Sequence, residues 1–169
     1  DILFDNRTNG GVDIASYGYY IPNFFENCNF GLYPNNQFNH ISFFVTDNLN
    51  GADFSFKNCG FGGIKINCRN YSANGLATIK NCTFYGTFAF NNQKGYIEVG
   101  AGYVSNRILL IEDTTFDMVS LGGLDTRAIS ITENNAEITL RNCRFVRYNG
   151  TDYKSVYTSS SNVKIYAFN

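Results

Sequence analysis

A short pattern of apolar and polar residues recurs five times along the chain. The copies align without gaps and read FFENCNF, FSFKNCGF, ATIKNCTF, LLIEDTTF and ITLRNCRF. In each copy apolar residues alternate with other residues, a charged residue and an Asn or Asp follow, and a Phe ends the pattern. These phenylalanines are Phe30, Phe61, Phe84, Phe116 and Phe145, so successive copies lie 31, 23, 32 and 29 residues apart. Alternation of period two inside a longer, irregular repeat is typical of a solenoid whose turns are built from strands.

The Asn or Asp of each copy is predicted to be a bend between two strands. Before the bend, alternation places residues such as Phe54 and Phe56 on one face. Continued alternation would turn Asn58 inward, but Asn tolerates the left-handed backbone conformation that a bend requires. A bend at Asn58 resets the alternation, so that Cys59 and Phe61 both point inward. Further strands are predicted after each bend, in segments such as HISFFVTDN, YIEVGAGY, RAISITENN and SVYTSSS.

Equivalent residues of stacked turns would lie about 4.8 Å apart and form ladders. We expect a stack of the five Phe rings and a buried ladder of side chains at Asn27, Asn58, Asn81, Asp113 and Asn142. Burial would make Asn81 a poor glycan acceptor, although it lies in an Asn-x-Thr sequence. The outward residues just before the bends are Glu26, Lys57, Lys80, Glu112, Arg141 and, in a sixth copy VKIYAFN, Tyr166. Most neighbours in this series have opposite charges, which indicates ion pairs that help to set the register.

Composition indicates an all-β protein with little or no helix. The 24 Asn and 16 Gly disfavour helix interiors, whereas the 16 Phe and 12 Tyr suit a pleated surface. The net charge of −1 gives no electrostatic reason to expect nucleic acid or an anionic membrane as a partner. The chain contains no apolar stretch long enough to span a bilayer, and its first residues lack the features of a signal peptide.

The repeat resembles the right-handed parallel β-helix superfamily, which includes pectate lyases, polygalacturonases and phage tailspikes. The resemblance extends from about residue 12 to residue 169, and it implies a solenoid of about six to seven coils. The whole chain, 1–169, would be a single β-helix domain or a fragment of a longer chain. The Asn-, Tyr- and Phe-rich coils are closest in character to phage tailspikes and bacterial surface β-helix proteins.

The cysteines are predicted to be core thiols rather than ligands. Cys28, Cys59, Cys82 and Cys143 share one ladder position, and Thr114 occupies it in the remaining copy. A small inward thiol is ordinary core material. There is no Cys-x-x-Cys sequence and the one histidine, His40, lies outside the ladder, so we predict no metal site and no cofactor. The fifth cysteine, Cys68, is expected in a loop.

The enzymes that the chain resembles use clustered carboxylates, and this sequence offers few. It has no Asp-Asp pair, and His40 is not part of a Gly-His-Gly segment. The outward positions of one strand family are expected to be Phe44, Glu98, Ser130 and Tyr157, which supply one carboxylate. A second arrangement would bring together weak catalytic candidates from strands and loops: Asp125, Glu133, Glu98 and Arg127.

Exposed tyrosines are the candidates for contact with glycan or with sister subunits. They are Tyr96, Tyr103, Tyr148, Tyr153 and Tyr157. Aromatic faces can stack on sugar rings, and they can equally pack between subunits.

The leading hypothesis is a non-catalytic extracellular, cell-surface or virion-surface module that binds a polysaccharide or cell-surface glycan, assembles with like subunits, or does both. Assembly would give a homo-oligomer, either a trimer or a head-to-tail array, with no membrane insertion. The alternatives are a polysaccharide lyase or glycoside hydrolase with a loop or inter-subunit site, and a structural filament or surface-layer subunit.

Overall fold

The structure is a computed structural model in which every described element is a β-strand. The described residues are 2–3, 12–16, 23–30, 40–45, 54–62, 65–68, 76–85, 95–99, 108–117, 127–132, 134, 136–146 and 154–169. Within these ranges, 18 strands form three parallel sheets of six strands each and no helix occurs. The all-β prediction is confirmed for this part of the chain.

The three sheets are named A, B and C. Sheet A contains β1 (Ile2–Leu3), β4 (Cys28–Phe30), β7 (Gly60–Gly62), β10 (Thr83–Tyr85), β13 (Thr115–Asp117) and β16 (Arg144–Val146). Sheet B contains β2 (Val12–Ser16), β5 (His40–Val45), β8 (Lys65–Cys68), β11 (Gly95–Val99), β14 (Arg127–Ile131) and β17 (Lys154–Thr158). Sheet C contains β3 (Asn23–Glu26), β6 (Phe54–Lys57), β9 (Leu76–Lys80), β12 (Ile108–Glu112), β15 (Glu137–Arg141) and β18 (Lys164–Phe168).

The chain visits the sheets in the fixed order A, B, C. Each strand pairs in parallel with the strands three places before and after it in the chain, so β7 lies between β4 and β10. Parallel neighbours need a long connection, and here the connection passes through strands of the other two sheets. This order is compatible with a solenoid.

The predicted bends lie between sheet C and sheet A. Asn27, Asn58, Asn81, Asp113 and Asn142 have φ values of 57°, 56°, 50°, 50° and 49°. Left-handed backbone of this kind is unfavourable for most residues and is tolerated best by Gly, Asn and Asp. The backbone N–H of each bend residue donates to a carbonyl of the next repeat, as from Asn27 to Lys57 at 3.0 Å. These observations confirm the bend prediction.

The bend side chains form the expected ladder, but the ladder lies at the surface. The Nδ2 of Asn58 donates to Oδ1 of Asn27 at 3.1 Å, and that of Asn81 donates to Oδ1 of Asn58 at 2.8 Å. The Nδ2 of Asn142 donates to Oδ1 of Asp113 at 2.9 Å. All five residues are exposed, so the expectation that burial makes Asn81 a poor glycan acceptor is wrong. The bend places the amide at a corner between two sheets, where solvent reaches it.

The core is a continuous stack of rings flanked by aliphatic rows. Neighbouring rings of Phe30, Phe61, Phe84, Phe116 and Phe145 have centroids 4.6 to 5.0 Å apart and lie within 11° of parallel. The aliphatic rows include Ile79 and Ile111 of sheet C and Ile97 and Ile129 of sheet B, all fully buried. Burial of each such side chain contributes about 1.5–3 kcal/mol, which makes the stack the main source of cohesion between repeats.

The charged residues before the bends pair as predicted. Lys57 Nζ lies 2.7 Å from a carboxylate oxygen of Glu26, and the Glu112 carboxylate lies 3.3 Å from Lys80 Nζ and 3.0 Å from Arg141 Nη1. Lys57 and Lys80 are direct neighbours in the sheet and carry like charges. Glu112 is the most shielded of these groups, with 17% of its side chain exposed, so its two ion pairs are screened least.

Two predictions of register and one of location are wrong. Arg141 pairs with Phe168 rather than Tyr166, and Asn67 pairs with Ser42 rather than leaving Phe44 in that row. A slip of two residues keeps every side chain on its predicted face, so alternation alone cannot detect it. Cys68 ends strand β8 and pairs with Phe43, so it does not lie in a loop.

Candidate functional site

Sheet B carries a polar row that crosses all six of its strands. Direct register places one polar residue from each strand in this row: Asp13, Ser42, Asn67, Glu98, Ser130 and Tyr157. The neighbouring positions along the strands are buried and apolar, such as Ile97, Val99 and Ile131. In a strand, alternate positions point to opposite faces, so the row belongs to the face away from the core.

The described side chains of the polar row differ in exposure. Glu98 and Tyr157 are half-buried, whereas Ser130 is 2% exposed. Ser130 pairs with Glu98 on one side and Tyr157 on the other, so its short side chain lies between two longer ones. The row offers a carboxylate and two hydroxyls at the spacing of adjacent strands, about 4.8 Å.

Arg127 is held against the polar row by an aromatic ring. Its guanidinium carbon lies 3.3 Å from the centroid of the Tyr157 ring, and the residue is only 5% exposed. A planar guanidinium stacks well on a tyrosine, and the attraction reaches about 2 kcal/mol when the pair is desolvated. Arg127 was predicted as a weak catalytic candidate; the structure places it at the first position of β14, with one face of Tyr157 covered by its side chain.

Tyr96 does not lie on an exposed surface, and that prediction is wrong. The residue is fully buried, and its hydroxyl donates to the backbone carbonyl of Asp117 at 2.7 Å. Its ring lies 5.7 Å from that of Phe84 and 6.5 Å from that of Phe116. A large ring gains more from joining the core than from exposure, provided that its hydroxyl finds an acceptor.

The remaining candidates are divided between the described and the masked parts of the chain. Asp125, Glu133, Tyr103, Tyr148 and Tyr153 lie outside the described residues. In the polar row Glu98 is separated from the other carboxylate, Asp13, by three strand spacings, roughly 14 Å. Glycosidases hold their two carboxyls about 5–9.5 Å apart, so these two do not form such a pair.

The cysteines behave as buried thiols. Cys28, Cys59, Cys82 and Cys143 are free. Each Sγ donates to the carbonyl two residues earlier, at 3.3 to 3.5 Å, and Thr114 makes the same bond with its hydroxyl at 2.8 Å. Burial raises the pKa of Cys28 and Cys143, and the hydrogen bond with Cys59, followed by burial, raises that of Cys82. Among the described residues, no group of three or more His, Cys, Asp or Glu is arranged to hold a metal ion.

Comparison with protein-family models, with curated proteins and with solved structures finds no match. In the part of the chain described above, no helix has the length and apolarity needed to cross a membrane.

The polar row was recognised only in part from the sequence. Glu98, Ser130 and Tyr157 were placed together, whereas Asp13, Ser42 and Asn67 were missed. The signal was present, because each missed residue stands between two apolar residues of its strand, as Ser42 does between Ile41 and Phe43. What the sequence lacked was the register that brings these six positions into one line.

Proposed function

We propose that the chain is a right-handed parallel β-helix of about six coils, each coil containing one strand of sheets A, B and C. The support is the strand order, in which every strand pairs with the strand three places along the chain. The ladder of bend residues and the ring stack recur once per repeat, as they would in coils of one kind.

On this fold, we propose a non-catalytic module at the outside of a cell or virion that binds an extended polysaccharide along sheet B. The observation that carries the proposal is the polar row. Six consecutive strands place a hydroxyl, amide or carboxylate residue at the same register position. One coil spacing is close to the length of one sugar unit, so a linear glycan could repeat its hydrogen bonds from coil to coil. Two distant carboxylates support binding rather than hydrolysis.

Measurement of glycan binding tests this function. Binding of a panel of neutral and acidic polysaccharides would be measured by calorimetry for the unchanged chain, for the double variant Glu98→Gln/Tyr157→Phe and for Tyr85→Phe. Tyr85 is a matched control because its hydroxyl bonds Asn29 on sheet A, at 3.2 Å. We expect the double variant to bind about three- to tenfold more weakly and the control to bind normally.

Two results would overturn the proposal. One is the absence of binding to every polysaccharide of the panel. The other is turnover, seen as new reducing ends or unsaturated products, which would favour the alternative of a polysaccharide-degrading enzyme.

Assembly with like subunits is a second candidate, favoured by apolar exposure on sheet C. Ile165, Tyr166 and Phe168 of the edge strand β18 are 42%, 42% and 55% exposed, and Phe24 of the opposite edge strand β3 is 70% exposed. Light scattering across a range of protein concentrations would detect a trimer or a head-to-tail array. A monomer at high concentration would exclude both forms.

A further inference from the structure

Basic residues stand at or beside the start of five consecutive strands of sheet B. His40, Lys65, Arg127 and Lys154 are the first residues of β5, β8, β14 and β17, and Lys94 directly precedes β11. We call these five residues the basic column. The sequence has 13 Lys and Arg and one His, so five of these 14 residues occupy one structural position.

The register makes the basic column continuous. His40 pairs with Lys65, Arg127 pairs with Lys154, and Gly95, the residue after Lys94, pairs with Arg127. With about 4.8 Å between strands, the column extends over four spacings, roughly 19 Å. Like charges on directly opposed strand positions are destabilising, so this arrangement opposes folding unless a partner offsets it.

Sheet C shows that the chain can arrange charges differently. There Glu26 opposes Lys57, Glu112 opposes both Lys80 and Arg141, and Glu137 opposes Lys164. Lys57 beside Lys80 is one like-charged step among these, and each lysine also contacts a carboxylate. The basic column, in contrast, has no acidic residue at its register positions.

The basic column and the polar row border the same surface. Each column residue precedes the polar-row residue of its strand by two to four positions in the sequence, as Lys65 precedes Asn67. At β14 the contact is direct, because the guanidinium of Arg127 lies over the ring of Tyr157, which belongs to the polar row. A linear ligand lying across the strands would therefore meet cations along one side and hydrogen-bonding groups along the other.

We propose that this surface selects an acidic polysaccharide over a neutral one, with its acidic groups along the basic column and its hydroxyls along the polar row. The inference rests on the proposed glycan-binding function and narrows its ligand. A polysaccharide fits better than a single-stranded nucleic acid, which needs exposed aromatic platforms for its bases. Here Tyr96 is buried and one face of Tyr157 is covered by Arg127. Glu98 and Asp13 are the acidic residues of the polar row, and they disfavour a ligand that is acidic on both sides.

The test compares alginate oligosaccharides with neutral dextran oligosaccharides of the same length, by calorimetry at low and high salt. The variant is Lys65→Gln/Lys154→Gln. The matched control is Lys57→Gln/Lys80→Gln, which removes the same charge from sheet C. At low salt we expect the column variant to bind alginate about tenfold more weakly and with less salt dependence, and the control to bind it normally. The melting temperature of the column variant should equal or exceed that of the unchanged chain, since like charges have been removed.

Each other outcome contradicts the inference in a distinct way. Equal binding of alginate and dextran would refute the selection of acidic ligands and leave the proposed glycan-binding function standing. Binding of neither would refute both. Equal weakening by the two double variants would show that net charge, not the basic column, controls affinity. Tighter binding of a single-stranded DNA oligonucleotide than of alginate would identify a different class of ligand.

Discussion

The ladder of bend residues is interrupted at Asp113, and the substitution Asp113→Asn should repair it. In this ladder each amide Nδ2 donates to the Oδ1 of the preceding repeat, as Asn81 does to Asn58 at 2.8 Å. An ionised Asp113 has no proton to donate, so the ladder does not continue from it to Asn81. The two oxygens face each other as acceptors, and the ladder is divided into the segments 27–81 and 113–142.

The expected gain is small but measurable. A new amide hydrogen bond contributes about 0.5–1.5 kcal/mol. Part of this is lost because Asn142 now donates to a neutral amide in place of a carboxylate, a weaker bond. The left-handed backbone at position 113, with φ of 50°, suits Asn as well as Asp. We therefore expect a net stabilisation of about 0.5–1 kcal/mol, which raises the melting temperature of a chain of this length by roughly 1–4 °C.

The mirror substitution provides the control. Asn58→Asp removes the donor that reaches Asn27 at 3.1 Å and should lower the free energy of unfolding by about 1 kcal/mol. Both variants would be unfolded in urea and followed by far-UV circular dichroism. The reasoning is refuted if Asp113→Asn fails to stabilise the chain, or if both substitutions change the free energy of unfolding in the same direction.

Three further predictions concern the buried ladder positions. Thr114→Val should cost about 1–3 kcal/mol, because the Cys82 amide that donates to the Thr114 hydroxyl at 3.3 Å loses its side-chain acceptor, whereas Thr114→Cys should cost less; urea unfolding separates the two, and equal costs would contradict the account. Phe84→Ala in the middle of the ring stack should cost about 3–5 kcal/mol by the same measurement, and a loss below 1 kcal/mol would show that the rings do not carry the cohesion. The raised pKa values of Cys28, Cys82 and Cys143 keep these thiols protonated in the fold, while an unfolded thiol ionises from about pH 8.5, so stability present below that pH should fall as pH rises further; a flat profile between pH 8 and 10 would contradict this.

Much of the fold could be predicted because the repeat combines two independent signals. Alternation identified the inward face, and Asn at a fixed offset identified the bend, so the stacking of Phe61 on Phe84 followed from the sequence. Register was less accessible. A shift of two residues preserves the faces, which is why Tyr166 was assigned the position that Phe168 occupies.

The candidate site could be predicted less well, because it depends on which strands are neighbours. Alternation placed Tyr96 and Glu98 on the same face, but near the start of β11 the Tyr96 ring packs beside core rings and its hydroxyl bonds to a carbonyl of sheet A. Arg127 resembled a loop residue by its Gly-, Asp- and Thr-rich context, and only the register reveals that it faces Tyr157. The basic column was missed for the same reason: its members are distant in sequence and become neighbours only once sheet B is formed.

The corner between sheets C and A gives the protein a removable unit of length. Successive bends follow one geometry although 23 residues separate Asn58 from Asn81 and 32 separate Asn81 from Asp113. Excision of residues 59–81 would join two equivalent corners directly. It would stack Phe30 on Phe84 and place Lys57 opposite Glu112, so the one like-charged step of the sheet C row would disappear with the excised segment. A gene encoding such a chain can lengthen or shorten its product by whole repeats, and the ligand-binding surface of sheet B would change by one strand each time.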